Sequence, residues 1–355
     1  MDHPASSMKI LVVAPSWIGD TVLAQPLFRL LHGRYPGLEL DVIGPPWTLP
    51  LLRRMPEIRR ASAHRFAHGE FKLLDRFRLG RELARERYDQ AIVLPNTLKS
   101  ALVTLFGRIP RRTGYRGESR WLLLNDMRHL DEHALPQIAQ RYAALGLEPG
   151  ASLPRELPLP HITADAMAVR GSLARLGLTT AGDAIAFCPG AEYGPAKRWP
   201  APYYAELARK LSAEGHPVWL IGSSNDAAVG EEIERLAPGA TVNLCGKTAL
   251  DEAIDLLAAA RLVVTNDTGL MHVAAALGTP LLALYGSSTP TFTPPMSESA
   301  TILKLDMPCS PCFERTCPLG HFDCMNRLKP ATVHERVLEA LAAAPANTVA
   351  AAASR

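Results

Sequence analysis

Short apolar runs of strand length alternate with helix-length segments along most of this chain, and this alternation restricts the fold more than any other feature. In the first half, the predicted strands span residues 9–14, 38–43 and 91–94, and the predicted helices span 21–33 and 49–54. Runs rich in valine, isoleucine and leucine are typical of parallel strands buried on both faces. The pattern therefore predicts an α/β fold with a parallel sheet covered by helices.

The same alternation is repeated in the second half, after a proline-rich stretch at 147–160 that reads as a linker. Its predicted strands span 184–187, 218–221, 262–264 and 281–284, with helices at 203–214 and 250–260. We predict a first Rossmann-like domain at 8–155 and a second at 160–332. A helix at 333–344 is expected to pack back toward the first domain, and 345–355 to form a disordered tail. Two such domains would face each other across a cleft between the carboxyl ends of their sheets, where ligands bind.

Composition excludes several classes of protein. The 355 residues are 47% hydrophobic and 21% charged, and no apolar run approaches the ~20 residues that cross a bilayer. Residues 1–7 lack the apolar core of a signal peptide, so we predict a cytoplasmic location. Neither opening loop contains the G-x-G-x-x-G pattern, which makes a dehydrogenase a poor fit.

Positive charge is concentrated in the first half. The net charge is +3, but residues 53–120 contain 17 lysines and arginines against 7 aspartates and glutamates. An arginine-rich surface favours an anionic partner held through phosphate or carboxylate groups. The alternative is a solvated face without a partner.

The segment Ser-Trp-Ile-Gly-Asp at 16–20 ends the first strand and carries the first candidate for chemistry. Gly19 permits close backbone approach or an unusual dihedral angle. The carboxylate of Asp20, at the start of a helix, can accept a proton from an attacking hydroxyl group. The alternative is that Asp20 only caps that helix.

Two loops in the second half are suited to a diphosphate. Residues 188–200 combine small residues with the positive charges of Lys197 and Arg198 between a strand and a helix. Residues 262–276 read as a strand, an Asp-Thr-Gly turn at 267–269 and a helix, whose first N–H groups favour an anion. His272 lies one turn inside that helix, where the alternative is a packed core histidine.

The sequence Asn-Asp-Thr-Gly-Leu-Met-His at 266–272, followed by Ala-Leu-Gly-Thr-Pro at 276–280, resembles the signature of glycosyltransferase family 9, the ADP-heptose:lipopolysaccharide heptosyltransferases. The segments at 16–22 and 197–200 resemble the same family, and the similarity runs from about residue 8 to 344. The cysteine-rich segment at 308–317, together with 190–194, points to the heptosyltransferase II subgroup.

The resemblance implies a GT-B fold with two Rossmann-like domains and an inverting reaction. L-glycero-D-manno-heptose would pass from ADP-heptose to the first heptose of the lipopolysaccharide inner core, on heptosyl-Kdo2-lipid A. No cofactor would be required for the chemistry, and nucleic acid is not an expected partner. The alternatives are a family member with another core acceptor (heptosyltransferase I or III), a sugar-nucleotide 2-epimerase, whose acidic catalytic residues we do not find, and a nucleotide-binding module.

The resemblance also assigns roles by position, with Asp20 as the general base. The donor-binding candidates are Lys197, Asp267, Thr268, Gly269, His272, Glu192, Tyr193, Ser224 and Thr248. The acceptor-binding candidates are Ser16, Gly19, Arg53, Arg54, Arg59, Arg60, Arg112, Arg116 and Arg120. Because a glutamate repels a diphosphate, we expect the diphosphate to contact the backbone near Glu192. The resemblance does not decide which residue within 222–226 contacts the ribose. The positive surface would hold the protein at the anionic cytoplasmic face of the inner membrane.

Six cysteines fall into two groups. Cys188 and Cys245 are isolated and are predicted to be reduced packing residues. Cys309, Cys312, Cys317 and Cys324 lie close together in sequence, and could supply four thiolates to a structural zinc, with His321 as a spare ligand. The alternative is that they are reduced structural cysteines, because the spacing is not the paired pattern of strong zinc motifs.

Overall fold

The computed structural model describes residues 7–64, 66, 70–178, 182–344 and 347–353. The chain divides into two compact units, residues 1–160 and 161–355. Each unit contains one six-stranded sheet in which every strand pairing is parallel. The predicted α/β class is therefore confirmed, and the boundary falls at the end of the proline-rich stretch.

The first unit begins with the buried strand that the sequence predicts. Its strands are β1 (Lys9–Val13), β2 (Glu39–Gly44), β3 (Arg60–Ala63), β4 (Gln90–Val93), β5 (Arg111–Tyr115) and β6 (Asp126–Arg128). Its helices are α1 (Ile18–Leu23), α2 (Gln25–Arg34), α3 (Leu49–Leu52), α4 (Leu73–Leu83), α5 (Leu98–Phe106) and α6 (Ile138–Ala144).

The second unit repeats the plan. Its strands are β7 (Ile185–Cys188), β8 (Val218–Leu220), β9 (Val242–Asn243), β10 (Leu262–Asn266), β11 (Leu281–Tyr285) and β12 (Ala300–Lys304). Its helices are α7 (Ala166–Arg175), α8 (Ala201–Ala213), α9 (Ala227–Leu236), α10 (Leu250–Ala259), α11 (Gly269–Leu277), α12 (Asp323–Asn326), α13 (Pro330–Ala343) and α14 (Thr348–Ala353).

Both sheets have the same strand order. It is β3-β2-β1-β4-β5-β6 in the first unit and β9-β8-β7-β10-β11-β12 in the second. In this doubly wound order the chain direction across the sheet reverses between the first and fourth strands of a unit, and ligands bind outside the carboxyl ends of the strands at that point. The loops after β1 and β4, and those after β7 and β10, are therefore the places where a ligand site is expected.

Sequence reasoning missed β3, β5, β6, β9 and β12, and the first two of these begin with an arginine. Strands β3 and β5 begin with Arg60 and Arg111, which bind the carboxylates of Asp41 and Asp126 at 3.0 and 2.9 Å. These ion pairs allow a charged residue to lie within a sheet, and a search for apolar runs cannot detect them. The paired carboxyl of Asp126 has its pKa lowered to about 2 by hydrogen bonds from Arg128, Thr113 and Arg111, although burial opposes this shift.

Three predictions about helices are wrong. The helix expected at 21–33 is two helices that meet at Ala24, where Pro26 near the start of α2 removes a backbone donor. Helix α13, expected to pack back toward the first domain, buries its apolar face in the core of the second unit, against α8, β10 and β11. Within the expected tail, residues 348–353 form α14, which packs on α7 and α10.

Candidate active site

In the first unit, Asp20 lies where the strand order reverses. It occupies the first turn of α1, directly after the loop that follows β1, and its side chain is half-buried. Trp17 is the N-cap residue and makes no side-chain capping bond, so the alternative role of Asp20 as the cap is not observed. The positive end of a helix favours the ionised carboxylate, which is the form that accepts a proton. Gly19 is buried and helical, so the expected unusual dihedral is absent at this position.

A residue that sequence reasoning did not identify lies near Asp20. Burial raises the pKa of the Tyr142 phenol on α6 well above its usual range, and the negative charge of Asp20 adds to this shift. Helices α1 and α6 pack together. Because α6 is remote from α1 in sequence, no local pattern could have linked the two residues.

A crevice follows the carboxyl ends of β1 to β4 in the first unit. Its polar lining includes Ser16, His64, Thr97, Lys99 and Ser100, together with Arg76, whose guanidinium donates to backbone carbonyl oxygens. Ser16 was predicted as an acceptor contact, whereas the others were not. Burial lowers the pKa of His64 to about 4, and nearby Arg76 adds to this effect. The neutral His64 and the cationic Lys99 give this crevice the groups to contact a polar, anionic acceptor.

Four of the predicted acceptor-binding arginines have partners within the protein. Arg59 and Arg60 both bind Asp41, which is almost fully buried, but the two arginine side chains are 39% and 45% exposed and stay candidates for acceptor contacts. Arg112 donates to the carbonyl oxygens of Ile109 and Leu123, both at 2.7 Å. Arg120 is only 1% exposed and donates to backbone carbonyls and an asparagine side chain. The guanidinium groups of Arg112 and Arg120 are thus engaged within the protein, which corrects the prediction at these two positions.

Of the other predicted arginines, Arg116 directly follows β5 and is exposed, at the same edge of the sheet as Asp20. Arg53 and Arg54 follow α3, in the segment that leads to β3, and reach the surface wholly or in part. These three therefore stay candidates for acceptor contacts.

In the second unit, Lys197 and Asp267 come together where the strand order reverses. Lys197 lies in the loop after β7 and Asp267 directly follows β10, and Lys197 Nζ lies 2.6 Å from Asp267 Oδ2. Asp267 is 5% exposed, whereas the ammonium group remains partly accessible. The carboxylate thus holds the lysine in place at the site where a phosphate is expected.

Asn266 connects these two loops, a role that its place in the 266–272 motif did not predict. Its side-chain oxygen accepts from the backbone N–H of Trp199 and the hydroxyl of Tyr204, both at 3.1 Å. Its side-chain nitrogen donates to the carbonyl of Pro189 at 2.7 Å. One buried amide therefore fixes the loop after β7 against the end of β10.

Helix α11 begins directly after Asp267. Thr268 is its N-cap residue and accepts a hydrogen bond from the backbone of Leu270 at 3.2 Å. Other N–H groups of the first turn, including that of Gly269, lack partners within the helix and can bind an anion. Burial lowers the pKa of His272 on this helix to about 4, and Lys197 adds to the shift while Asp267 opposes it, so the imidazole is neutral at pH 7.

This buried histidine predicts a loss of stability in acid. Above pH 6.5 both the folded and unfolded chains carry a neutral His272, so protonation of this residue does not lower the free energy of unfolding there. As the pH falls from 6.5 to about 4, only the unfolded chain takes up the proton, and the free energy of unfolding should fall by about 3 kcal/mol from this group. Denaturant unfolding at several pH values measures this loss, when the free energy of unfolding at each pH is compared with its value at pH 7.

The matched variants for that measurement are His272→Gln and, as the exposed control, His129→Gln. The first should have a shallower acid dependence than the natural protein, and the second should not differ from it. Buried His64 has a pKa lowered in the same direction, so some dependence should remain in His272→Gln. Equal slopes in all three proteins would contradict a neutral, buried His272.

Several buried polar atoms in the second unit have no hydrogen-bond partner among the described residues. Thr241 and Arg261 hold two of them away from the proposed site, whereas six others belong to Arg198, Asp226, Thr248, His272, Ser287 and Ser288. These six residues lie on loops after β7, β8, β9 and β11, or on α11, so they come together on the carboxyl side of the sheet. An unpaired buried polar atom is costly, and a polar ligand at this edge would satisfy such groups.

The loop after β8 contains residues 222–226, within which the residue that meets the ribose was left open. Asp226 turns inward, and its carboxylate accepts hydrogen bonds from the backbone N–H and hydroxyl of Ser223, both at 2.9 Å. It lies so close to Gly190 that a Cβ there would be 2.2 Å from its carboxyl carbon. One carboxylate oxygen of Asp226 therefore holds this loop, while the other has no partner among the described residues, and exposed Ser224 remains the predicted candidate from this segment.

Glu192 and Tyr193 also have partners within the protein. The carboxylate of Glu192 accepts from the side-chain nitrogen of Asn225 at 3.0 and 3.1 Å. The Tyr193 hydroxyl donates to the carbonyl of Phe313 at 2.6 Å, and Lys197 Nζ lies 5.2 Å from its ring centroid. The side chains thus shape the loop after β7, and its backbone remains to contact a phosphate as expected.

The four clustered cysteines line one small cavity, together with His321. Among the residues that the structure describes, no group of three or more His, Cys, Asp or Glu side chains is arranged to hold a metal ion. The segment supports the donor-side loops, because the Arg315 carbonyl accepts from the backbone of Ala196 at 3.0 Å and the Phe313 N–H donates to the carbonyl of Ser287 at 2.8 Å. Cys188 and Cys245 are buried free thiols, as predicted, and burial raises the pKa of Cys245 to about 12.

Comparison with known proteins agrees with this geometry. Residues 76–323 match glycosyltransferase family 9 (heptosyltransferase). The chain is 48% identical to lipopolysaccharide heptosyltransferase 2 of Escherichia coli K12, over 84% of this chain and 88% of that protein. It is 47% identical to lipooligosaccharide heptosyltransferase 2 of Haemophilus influenzae, over 84% and 89%. The solved structure of E. coli ADP-heptose lps heptosyltransferase II superimposes with a TM-score of 0.85, at 44% identity, over 95% of this chain and 99% of that one.

Two doubly wound units with a phosphate-type site in the second define a nucleotide-sugar glycosyltransferase of the GT-B kind. The chain belongs to glycosyltransferase family 9, the heptosyltransferases. The sequence-based identification and fold class are confirmed, and the epimerase alternative is not favoured.

Proposed function

We propose that this heptosyltransferase moves L-glycero-D-manno-heptose from ADP-heptose to the first heptose of the lipopolysaccharide inner core. The similarity to heptosyltransferase 2 proteins of two organisms supports this choice of substrates. The observation that carries the donor assignment is the group of unpaired buried polar atoms around the Lys197–Asp267 pair. A diphosphate joined to a nucleoside and a sugar supplies both the charge and the hydrogen-bonding groups that this site lacks.

ADP-heptose binds along the carboxyl edge of the second sheet in this proposal. The diphosphate contacts Lys197, the first turn of α11 at Thr268 and Gly269, and the backbone near Glu192 and Tyr193. Asp267 holds the lysine, and neutral His272 offers a hydrogen bond to the donor. Ser224 and Thr248 contribute from the loops on the nucleoside side.

The reaction inverts the anomeric centre. A hydroxyl of the acceptor heptose attacks the anomeric carbon on the face opposite the diphosphate, and Asp20 accepts its proton. The bond from the anomeric carbon to the phosphate oxygen breaks, and ADP leaves with its increased negative charge stabilised by Lys197 and the end of α11. Ser16, Lys99 and Thr97 hold the acceptor, assisted by Arg53, Arg54 and Arg116.

No step of this reaction needs a metal, because a lysine and a helix terminus supply the positive charge. We propose that the four clustered cysteines are reduced and structural. Elemental analysis of the protein purified without a polyhistidine tag should find metal far below one ion per chain, and treatment with a chelator should leave transfer unchanged. One zinc per chain, lost together with folding on chelation, would instead show that the cysteines bind a structural metal.

The acceptor is anchored in a membrane by lipid A, so the protein must work at a membrane surface. No helix among the described residues is long and apolar enough to span a bilayer. We propose peripheral contact with the anionic cytoplasmic leaflet.

Mass spectrometry of lipopolysaccharide from cells that lack this protein tests the choice of acceptor. The proposal expects a core truncated after its first heptose, with full restoration by the natural gene and none by an Asp20→Asn variant. A core without any heptose would indicate heptosyltransferase I activity, and one missing only a later heptose would indicate heptosyltransferase III activity.

A further inference from the structure

Helix α4 of the first unit and the two residues before it expose a patch of large apolar residues, of which Phe77 also packs its ring edge-on against Phe106. Phe71, Leu73, Leu74 and Phe77 are 52%, 46%, 71% and 47% exposed, all within seven residues. The opposite face of the helix is buried through Arg76, Gly80 and Leu83. Scattered exposed apolar residues are ordinary, but four within seven consecutive residues indicate a binding surface.

Basic residues surround this patch. Lys72 precedes the helix, and Arg78, Arg81 and Arg85 are exposed along the same side. The acidic residues nearby are equally numerous, but Glu70 pairs with Lys72, Asp75 with Arg78 and Glu86 with Arg60, which leaves Glu82 beside Arg81 and Arg85. A helix that exposes leucine and phenylalanine beside lysine and arginine has the composition of a segment lying in the surface of an anionic bilayer. Its charge therefore complements an acidic lipid surface.

The patch also lies on the functional side of the unit. The chain leaves β3 at its carboxyl end before α4 begins, so the first turn of α4 lies at the same edge of the sheet as Asp20. Three exposed tryptophans belong to loops at that edge: Trp17 after β1, Trp47 after β2 and Trp121 after β5. Tryptophan prefers the interface between water and lipid, where one part of the ring is wet and the other apolar.

We infer that the start of α4, residues 71–81, is a membrane-docking surface that enters the headgroup region of an anionic bilayer and presents the Asp20 edge to a lipid-linked acceptor. This inference rests on the proposed function for the acceptor, but lipid binding itself does not depend on it. The apolar side chains supply the insertion, and Arg78 and Arg81 supply the preference for acidic lipid.

The test is co-sedimentation with vesicles of phosphatidylglycerol and phosphatidylcholine in equal parts, compared with phosphatidylcholine alone. Leu74→Glu should lower the partition coefficient on the mixed vesicles by about tenfold or more. The variant removes a leucine that would be buried in the bilayer and adds a negative charge that the acidic lipid repels. Arg81→Glu should weaken binding to the mixed vesicles only. Met167→Glu is the matched control, since Met167 is 77% exposed on α7 of the second unit, and it should bind as the natural protein does.

Transfer assays on two acceptors separate this inference from the proposed function. Leu74→Glu should lose activity on acceptor embedded in vesicles and keep it on a deacylated, water-soluble acceptor. If the natural protein binds vesicles but transfers heptose to neither acceptor, the proposed function is wrong and the docking surface stands. Unchanged vesicle binding by Leu74→Glu, or an equal loss in Met167→Glu, would overturn the docking surface.

Sedimentation velocity without lipid should give the same mass for the natural protein and Leu74→Glu, and conversion of a dimer to a monomer would assign the patch to a second copy instead.

Discussion

Replacement of Asp20 by asparagine is expected to lower kcat for heptosyl transfer by about 10²- to 10⁴-fold, the range for a general base. Asparagine has nearly the same shape but cannot take the proton from the attacking hydroxyl. Binding of ADP-heptose should be unchanged, because every proposed donor contact lies in the second unit. Calorimetric titration with the donor and single-turnover kinetics with both substrates measure the two quantities separately.

Asp89→Asn is the matched control for that experiment. Asp89 belongs to the same unit, is exposed, and accepts a hydrogen bond from the backbone of Lys9 at 2.8 Å, a bond that an asparagine oxygen can also accept. Its kcat should equal that of the natural protein. If Asp20→Asn transferred heptose at the natural rate, another group would have to accept the proton.

Replacement of Lys197 by methionine is expected to lower kcat/KM by about 10²- to 10³-fold, the cost of losing one preorganised charge on the leaving group. The variant also leaves Asp267 buried without its cation, which should lower the free energy of unfolding by about 3–5 kcal/mol. Steady-state kinetics and denaturant unfolding test the two effects. Because both arise from one ion pair, they should appear together.

Two further variants test whether the losses of kcat/KM and of stability come from the positive charge at position 197. Lys197→Arg keeps the charge and should retain more activity and stability than Lys197→Met. Lys210→Met, which removes an exposed lysine paired with Glu206 on α8, should change neither quantity. A Lys197→Met variant with natural kcat/KM would remove this residue from the donor site.

The parts of the fold that the sequence predicts are those set by local patterns. Buried strands such as β1, β7 and β10 are continuous apolar runs, and the motif residues follow their carboxyl ends. Asp20 and Lys197 can therefore be assigned to ligand-binding edges from their positions after these runs. Both assignments depend on the parallel α/β topology, which alternation alone predicts.

The features that sequence reasoning missed depend on contacts between distant residues. Arg59, Arg60 and Arg120 read as surface charge, but their partners at 41, 95 and 96 bury or engage them. Lys197 and Asp267 read as two separate donor contacts, although they are 70 positions apart and bind each other. Helix α14 was missed because an alanine-rich tail has no apolar periodicity to indicate what it packs against.

The central claim is that the first unit's aspartate and the second unit's donor site together transfer one heptose to a heptose-bearing core. Incubation of the purified protein with ADP-heptose and either heptosyl-Kdo2-lipid A or Kdo2-lipid A, followed by mass spectrometry and NMR of the products, tests it most directly. The account predicts that only the first acceptor gains one heptose, that ADP is released in equal amount, and that the anomeric configuration is inverted. A heptose added to Kdo2-lipid A, or a product with retained configuration, would contradict it.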